Sequence, residues 1–390
     1  MKKIAVIGGG PAGLRAAQIC AEAKFRVDVF ESKRSVGRKF LVAGKGGLNL
    51  TNAEPMEKFV TRYSGKTPGF WRGILEAFDS DALRAWALGF GFETFETKSG
   101  RVYLKNLKAA GLLRSWVSSL REAGVVFHTG QRLVSLEPGE RWRLGFENGT
   151  SSEADAVILA LGGASWPETG SDGGWVSMFE KLGVGTTPLA PANCGWEHEW
   201  GPEILDAAEG KPLKNISVTA GDHSASGELI LTRYGLEGGP LYALGSTLRA
   251  MASPKISLDL KPAHTEAQLV AKMESVRRNF ATEARQRWKL GDAAYALLAG
   301  REWNDASTLA HEAKNCVIPL KGPRPISEAI SSAGGIRWEE LTEDLMVKKI
   351  PGLFVAGEMI DWEAPTGGFL LQACFATGTL AAKSACKFCR

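Results

Sequence analysis

The sequence has no long apolar run, no low-complexity tract and no dominant sign of charge. The first absence excludes an ordinary membrane-spanning helix, which needs roughly 18 or more consecutive apolar residues. The second leaves 44% hydrophobic and 23% charged residues, the balance of a soluble globular protein. The third, a net charge of +4 over 390 residues, permits contact with nucleic acid without arguing for it. Cysteine is sparse and dispersed: Cys20, Cys194, Cys316 and Cys374 stand singly, so no disulfide framework is expected. Cys386 and Cys389 form a C-x-x-C, but near the fraying end of a predicted helix. A reactive pair is expected at a helix N-terminus, where the dipole lowers the thiol pKa. His128, His198, His223, His264 and His311 show no ligand spacing, so no metal site is expected.

The N-terminus imitates a secretory signal, with Lys2-Lys3, an apolar run Ile4 to Ile7 and a small-residue triplet Ala21-Glu22-Ala23. The run stops after four residues at Gly8, and Arg15 falls where it should continue, so a cytoplasmic protein is expected. What stands there instead is a phosphate loop. Ile4 to Ile7 suits a buried parallel strand. Gly8-Gly9-Gly10-Pro11-Ala12-Gly13 satisfies G-x-G-x-x-G, and Leu14, Ala17, Cys20 and Ala21 recur at helical spacing. Gly8 allows the tight turn, Gly10 lets a diphosphate approach the backbone, and Gly13 lets helix and strand pack closely. Free N–H groups and the helix dipole then hold the diphosphate, with Pro11 and Ala12 completing the contact. A second strand, Val27 to Phe30, ends on Glu31, where a carboxylate accepts ribose hydroxyls and repels a 2′-phosphate; Ser32 follows it. The loop by itself does not separate FAD from NAD.

Residues 131–161 read as a three-stranded meander. Its strands run from Gln131 to Glu137 (Val134 being a cofactor contact), from Trp142 to Glu147 and from Ala154 to Leu161, the last leading to Gly162-Gly163. Near the C-terminus, Leu353 to Ala356 is another buried strand, ending at Gly357-Glu358 with Asp361 close behind. Pro365-Thr366-Gly367-Gly368 then opens a long helix, Phe369 to about Lys387. A carboxylate after a strand can bond a ribityl chain. Backbone N–H groups at Gly367, Gly368, Phe369 and Leu370 can face a flavin edge where negative charge builds on reduction. A plain strand–turn–helix has the same spacing. No second G-x-G-x-x-G occurs, so a nicotinamide reductant would have no Rossmann domain of its own.

Between these parts the chain changes character. From Leu189 to Leu260 it is rich in Gly and Pro with short alternating runs, such as Ser217 to Thr219 and Glu228 to Thr232, which predicts a β-rich module. From His264 to Lys314 it turns helical, with Leu269, Met273, Val276, Phe280 and Ala284 on one predicted stripe. Arg277, Arg278, Arg285, Arg287 and Lys289 lie off that stripe, a basic face that is either solvated or an RNA contact.

Several blocks together resemble the BaiN/RdsA family of FAD-dependent oxidoreductases. They are Gly37-Arg38-Lys39-Phe40-Leu41-Val42-Ala43-Gly44-Lys45-Gly46-Gly47-Leu48-Asn49-Leu50-Thr51-Asn52, Gly100-Arg101-Val102-Tyr103 with Lys108-Ala109, and Gly162 to Ser171. Gly227 to Thr232 and the closing stretch Gly352 to Gly378, with Gln372, complete the set in family order. The resemblance implies FAD rather than NAD. It also implies an α/β Rossmann-type FAD-binding domain, glutathione-reductase-like, interrupted by an insert with a β-barrel-like part and a helical bundle. The expected division is 1–189 and 335–390 for the FAD domain and 190–334 for the insert, itself β-rich over 190–262, helical over 263–314 and returning over 315–334. The resemblance further implies reduction of a conjugated C=C bond, in a bile-acid enone in one branch and in a uridine of ribosomal RNA in another. One departure stands out: where the family commonly has Gly-Arg-Cys-Asn, this chain has Gly46-Gly47-Leu48-Asn49.

The expected mechanism is hydride transfer from reduced flavin to an electron-poor C=C, with NAD(P)H as a diffusible reductant and Tyr103 or Tyr234 as proton donor. Arg38 and Lys39 are expected beside the flavin or its phosphates. The partner is a small molecule or ribosomal RNA, the basic face tipping the balance slightly towards RNA. A flavin- or NAD-binding module without turnover is the competing class.

Overall fold

The computed structural model describes all 390 residues. Five short strands form the sheet that organises the first unit: β1 (Lys3–Ile7), β2 (Arg26–Glu31), β3 (Val126–Thr129), β4 (Ala156–Leu159) and β5 (Leu353–Val355). Their order is β5-β4-β1-β2-β3 and every neighbouring pair is parallel. The apolar runs of β1, β4 and β5 are buried throughout their lengths apart from Lys3, as expected of strands covered on both faces. Chain order reverses across β1, which has β2 on one side and β4 on the other. A crevice for a ligand opens outside the carboxyl ends of the strands at such a reversal.

Two helices cover this point, α1 (Pro11–Glu22) and α2 (Phe369–Cys389). They touch closely because small residues face each other: a Cβ on Gly378 would stand 2.4 Å from the Ala12 carbonyl oxygen. Arg15 on α1 is buried at this contact, donates to Thr379 Oγ1 at 2.9 Å and lies 4.0 Å over the Phe78 ring. Burial pulls its pKa down to about 10. The predicted meander is an antiparallel ribbon of Leu133–Glu137, Trp142–Phe146 and Ser151–Ala154. Its final predicted strand is split: Ala154 closes the ribbon, and the chain re-enters the main sheet only as β4.

Packing divides the chain into Met1–Ala190 with Ser331–Arg390, and Pro191–Ile330. The return expected at 335 falls inside a strand, Ser331–Ile336, that belongs to the first unit. The second unit is built on a seven-stranded sheet with all pairs antiparallel. Its two edge strands, Cys316–Pro319 and Gly322–Pro323, follow each other in the chain. Seven flat strands at about 4.8 Å spacing would hold those edges nearly 30 Å apart. So short a link therefore forces the sheet to roll towards closure. Helices Glu266–Ala271, Phe280–Arg287, Asp292–Ala299 and Ala306–Lys314 pack with it around a common core.

The continuous stripe expected from Leu269 to Ala284 is not one helix. Leu269, Met273, Val276 and Ala284 are all buried, but the chain breaks between Ala271 and Phe280 and passes through a left-handed Asn279. Spacing of 4-3-4-4 survives because successive turns face one core, not because one axis runs through them. No helix of the chain is long and apolar enough to cross a membrane.

Candidate functional site

The carboxyl ends of β1 and β4, the start of α1 and the turn after β5 enclose a cleft with about 1030 Å³ of empty space. Its floor is the glycine loop. Gly8 has φ +105, and a Cβ there would stand 2.2 Å from the Ala160 carbonyl oxygen; a Cβ on Gly13 would stand 1.9 Å from the Gly8 oxygen. Gly10 differs: nothing lies within 4 Å of its missing Cβ, and its backbone faces open space. The Gly8 N–H donates to Phe30 O at 2.8 Å and the Gly37 N–H to Gly9 O at 2.8 Å, which ties the loop to its surroundings.

Glu31 closes one end. It is buried, and its carboxylate accepts from the Gly9 N–H at 2.9 Å, the Lys33 N–H at 2.8 Å and the Ser32 hydroxyl at 3.2 Å. The carboxylate is thereby fixed in one orientation, with lone pairs left for a ligand. At the other end Lys39 donates to Ser165 Oγ and to Glu358 Oε2, both at 2.7 Å. Cys374 sits beside this pair, its thiol pKa pushed far up by burial and then by the Glu358 charge, so it is an inert neutral wall. On the rim Arg132 and Asp172 pair at 2.6 Å. Burial opposes ionisation of Asp172, but the Arg132 guanidinium and the Gly174 N–H together hold its carboxyl below the usual value.

A dinucleotide fits these residues on one further observation. Ser171 Oγ is buried in the cleft wall without any protein hydrogen-bond partner, which is costly unless a ligand supplies one.

Of the expected cofactor contacts, Gly8, Gly10, Pro11, Ala12, Glu31, Ser32, Arg38, Lys39, Gly162, Gly357 and Glu358 line the cleft, and Gly13 acts from beneath. Others stand elsewhere. Val134 is exposed and its neighbour Leu133 lines the cleft instead. Asp361 accepts from the Thr187 hydroxyl at 2.6 Å and stays outside the lining. Gly367, Gly368, Phe369 and Leu370 also lie outside it, because Gly368 is packed against Thr51 and Asn52 donates to the Gly367 oxygen at 3.1 Å. Tyr103 is half-buried in strand Arg101–Leu104, stacked on Phe95, and does not line the cleft. Tyr234 belongs to the second unit. Its hydroxyl donates to Glu237 and its ring lies under Arg324, and burial, followed by that carboxylate, raises its pKa steeply. Sequence reasoning missed Arg132, Ser171, Asp172 and Trp175. A usable signal existed in the glycines of Gly170-Ser171-Asp172-Gly173-Gly174, where a turn can bring the backbone close to a ligand.

The Rossmann sheet and its glycine loop define a dinucleotide-binding fold, and the family match makes the chain an FAD-dependent oxidoreductase. The chain belongs to the family described as HI0933-like protein Rossmann domain, whose model matches residues 2–384. It is 28% identical over 416 aligned residues, 99% of either chain, to a 3-dehydro-bile acid delta(4,6)-reductase of Clostridium scindens. It is 24% identical, over 94% of either chain, to the ribosomal RNA dihydrouridine synthase of Escherichia coli. Among solved structures it is similar to a 3-ketosteroid-delta4-(5alpha)-dehydrogenase of Rhodococcus jostii in complex with 4-androstene-3,17-dione. That match has TM-score 0.54 and 16% identity, over 99% of this chain and 97% of the other.

Proposed function

We propose that this protein reduces an electron-poor, conjugated C=C bond, using FAD held in the cleft and NAD(P)H as diffusible reductant. The observation that carries this reading is the dinucleotide cleft itself, in a chain whose full-length relatives include a delta(4,6)-reductase and a dihydrouridine synthase. Both of those names describe saturation of a C=C bond conjugated to a carbonyl. Bound FAD, once reduced, supplies the hydride for such a step.

The protein's own part is binding and orientation. The N–H groups at the start of α1 hold the diphosphate, Glu31 the adenosine ribose, and the Lys39–Glu358 pair the far end of the cofactor. Tyr103, which shares a unit with the cleft without lining it, is the proton donor we favour. Tyr234 is the weaker candidate, its hydroxyl being already committed to Glu237. On this reading the insert, Pro191–Ile330, is a module that limited proteolysis releases from the FAD domain.

The test is anaerobic reduction of the purified yellow protein by NADH or NADPH, then mixing with a 3-keto-4,6-diene steroid or with ribosomal RNA from cells lacking the protein. Reoxidation coupled to loss of the C=C bond is expected with one of them. A protein that stays yellow with either reductant, and inert to both acceptors, overturns the reading in favour of a binding module. Tyr103→Phe is expected to slow the step with an unchanged flavin spectrum; equal rates remove Tyr103 from it.

A further inference from the structure

The second unit contains a cleft of its own, with about 1520 Å³ of empty space. Its walls come from strand Pro212–Ala220, from the turn that follows strand Lys255–Asp259, and from the start of helix Asp292–Ala299. Four lysines line it, Lys211, Lys214, Lys261 and Lys289, together with His264. Asp292 is the one carboxylate on its walls, and it is already shared between Lys211 at 2.8 Å and Arg285 at 2.7 Å. Lys214, Lys261 and Lys289 therefore have no acidic partner within the protein.

The arrangement is electrostatically unfinished. The Lys261 ammonium donates to the Lys289 carbonyl at 2.8 Å, which holds it in place without neutralising it. Its pKa is depressed by burial, then by the neighbouring charges of Lys272 and Lys289. His264 adds a buried Nδ1 with no partner, while its Nε2 meets Lys272 Nζ at 2.6 Å. Like charges gathered in a concave site raise the local concentration of an oppositely charged ligand. Three ammonium groups match a ligand with several negative oxygens, and lysine grips phosphate as a point charge.

We propose that this cleft binds phosphate esters, those of an RNA backbone or of a nucleotide reductant. The site stands on the second unit alone and does not depend on the reductase reading. It shares Lys289 with the basic face expected at Arg277 to Lys289 and centres the contact on Lys214 and Lys261 instead of on the arginines. There Arg285 pairs with Asp292, Arg287 with Glu283 at 3.0 Å, and Arg277 donates to the backbone carbonyls of Glu274 and Val276.

The flavin-loaded full chain is titrated at low salt, by fluorescence anisotropy, against a fluorescein-labelled single-stranded oligouridylate. Pyrophosphate, NADPH and NADH serve as competitors. Either the oligonucleotide binds and pyrophosphate displaces it, which makes the source RNA, or NADPH and NADH bind directly, which makes it the nucleotide. Replacing Lys214, Lys261 and Lys289 together with Gln is expected to weaken the successful probe at least about tenfold. For RNA it is also expected to reduce the salt slope by about 2, three contacts at about 0.7 each. Lys214→Glu, an exposed single change, is expected to weaken the same probe with an unchanged melting temperature and flavin content. If no probe binds at low salt, or the triple variant binds as the parent does, the proposal is overturned. Turnover of the C=C substrate in the same samples tests the reductase reading separately.

Discussion

Two glycine turns feed helices in the first unit. Gly8 to Gly13 leads into α1, and Gly367-Gly368 leads into α2. On paper they are alike: strand, glycines, helix. In space they are opposites. The first turn is crowded beneath and open above, with Gly8 and Gly13 pressed on backbone while Gly10 faces the cleft. The second is packed against the protein on the side that a Cβ on Gly368 would take. A Cβ on Gly368 would stand 2.3 Å from the backbone of Thr51, and the Gly367 oxygen is taken by Asn52. A glycine before a helix thus has two unrelated causes, room for a ligand or room for a neighbouring strand, and only the surroundings decide between them.

Gly13→Val is the most damaging way to break the first turn. Its Cβ would lie 1.9 Å from the Gly8 oxygen, against backbone that cannot retreat without separating α1 from β1. The expected outcome is colourless protein, or no folded protein. A yellow, folded Gly13→Val variant refutes the close-packing role. Next is Gly368→Ala. The left-handed backbone, φ +97, costs a residue with a side chain about 1–2 kcal/mol, and displacing Thr51 adds to it. Urea unfolding is expected to register that loss in protein stripped of flavin, since the contact is within the protein. If the loss is seen only with flavin bound, the second turn is a ligand site after all, and the contrast collapses.

Glu31→Ala ranks third. It strands the Gly9 and Lys33 N–H groups and removes the ribose acceptor, so flavin affinity is expected to fall by about 1–3 kcal/mol. Glu31→Gln keeps the shape and one acceptor oxygen, and an intermediate loss is expected. Equal affinities in all three proteins place the ribose elsewhere.

The first turn was legible in the sequence because its parts are local: an apolar strand, the glycines and the acid lie within one short stretch. Most of the fold around it was legible for the same reason. The rest needed contacts that spacing does not encode. Arg132 and Asp172 meet from different segments, and the burial of Ser171 Oγ without a partner is a property of the folded chain alone. The basic face, read from sequence as either solvated or an RNA contact, is only partly paired within the protein. Five cations close in sequence read as a patch, but the carboxylate of Asp292 arrives from the next helix and is invisible to a periodicity argument made on one. The same residue, shared with Lys211, leaves the other lysines of the second cleft without a counter-charge.

Gly10→Ala is expected to have the smallest effect on stability and gives the sharpest test of the contrast. Gly10 has φ −78 and ψ −179, an extended backbone that any residue adopts, and its added methyl would meet nothing within 4 Å. The folded state therefore loses nothing. The unfolded chain loses freedom, so the flavin-free protein is expected to gain about 0.4–1 kcal/mol. The space the methyl would enter is nevertheless the cleft, at the point where a diphosphate must approach the backbone. Flavin affinity is expected to fall at least about tenfold, or 1.4 kcal/mol. Stability and binding then move in opposite directions from one carbon atom, which Gly368→Ala cannot do, because its methyl meets protein. Calorimetric melting of stripped protein and titration with FAD measure the two halves independently. If Gly10→Ala binds FAD as tightly as the parent, the open floor of the cleft is not where the diphosphate lies, and the ligand-directed reading of the first turn is lost with it.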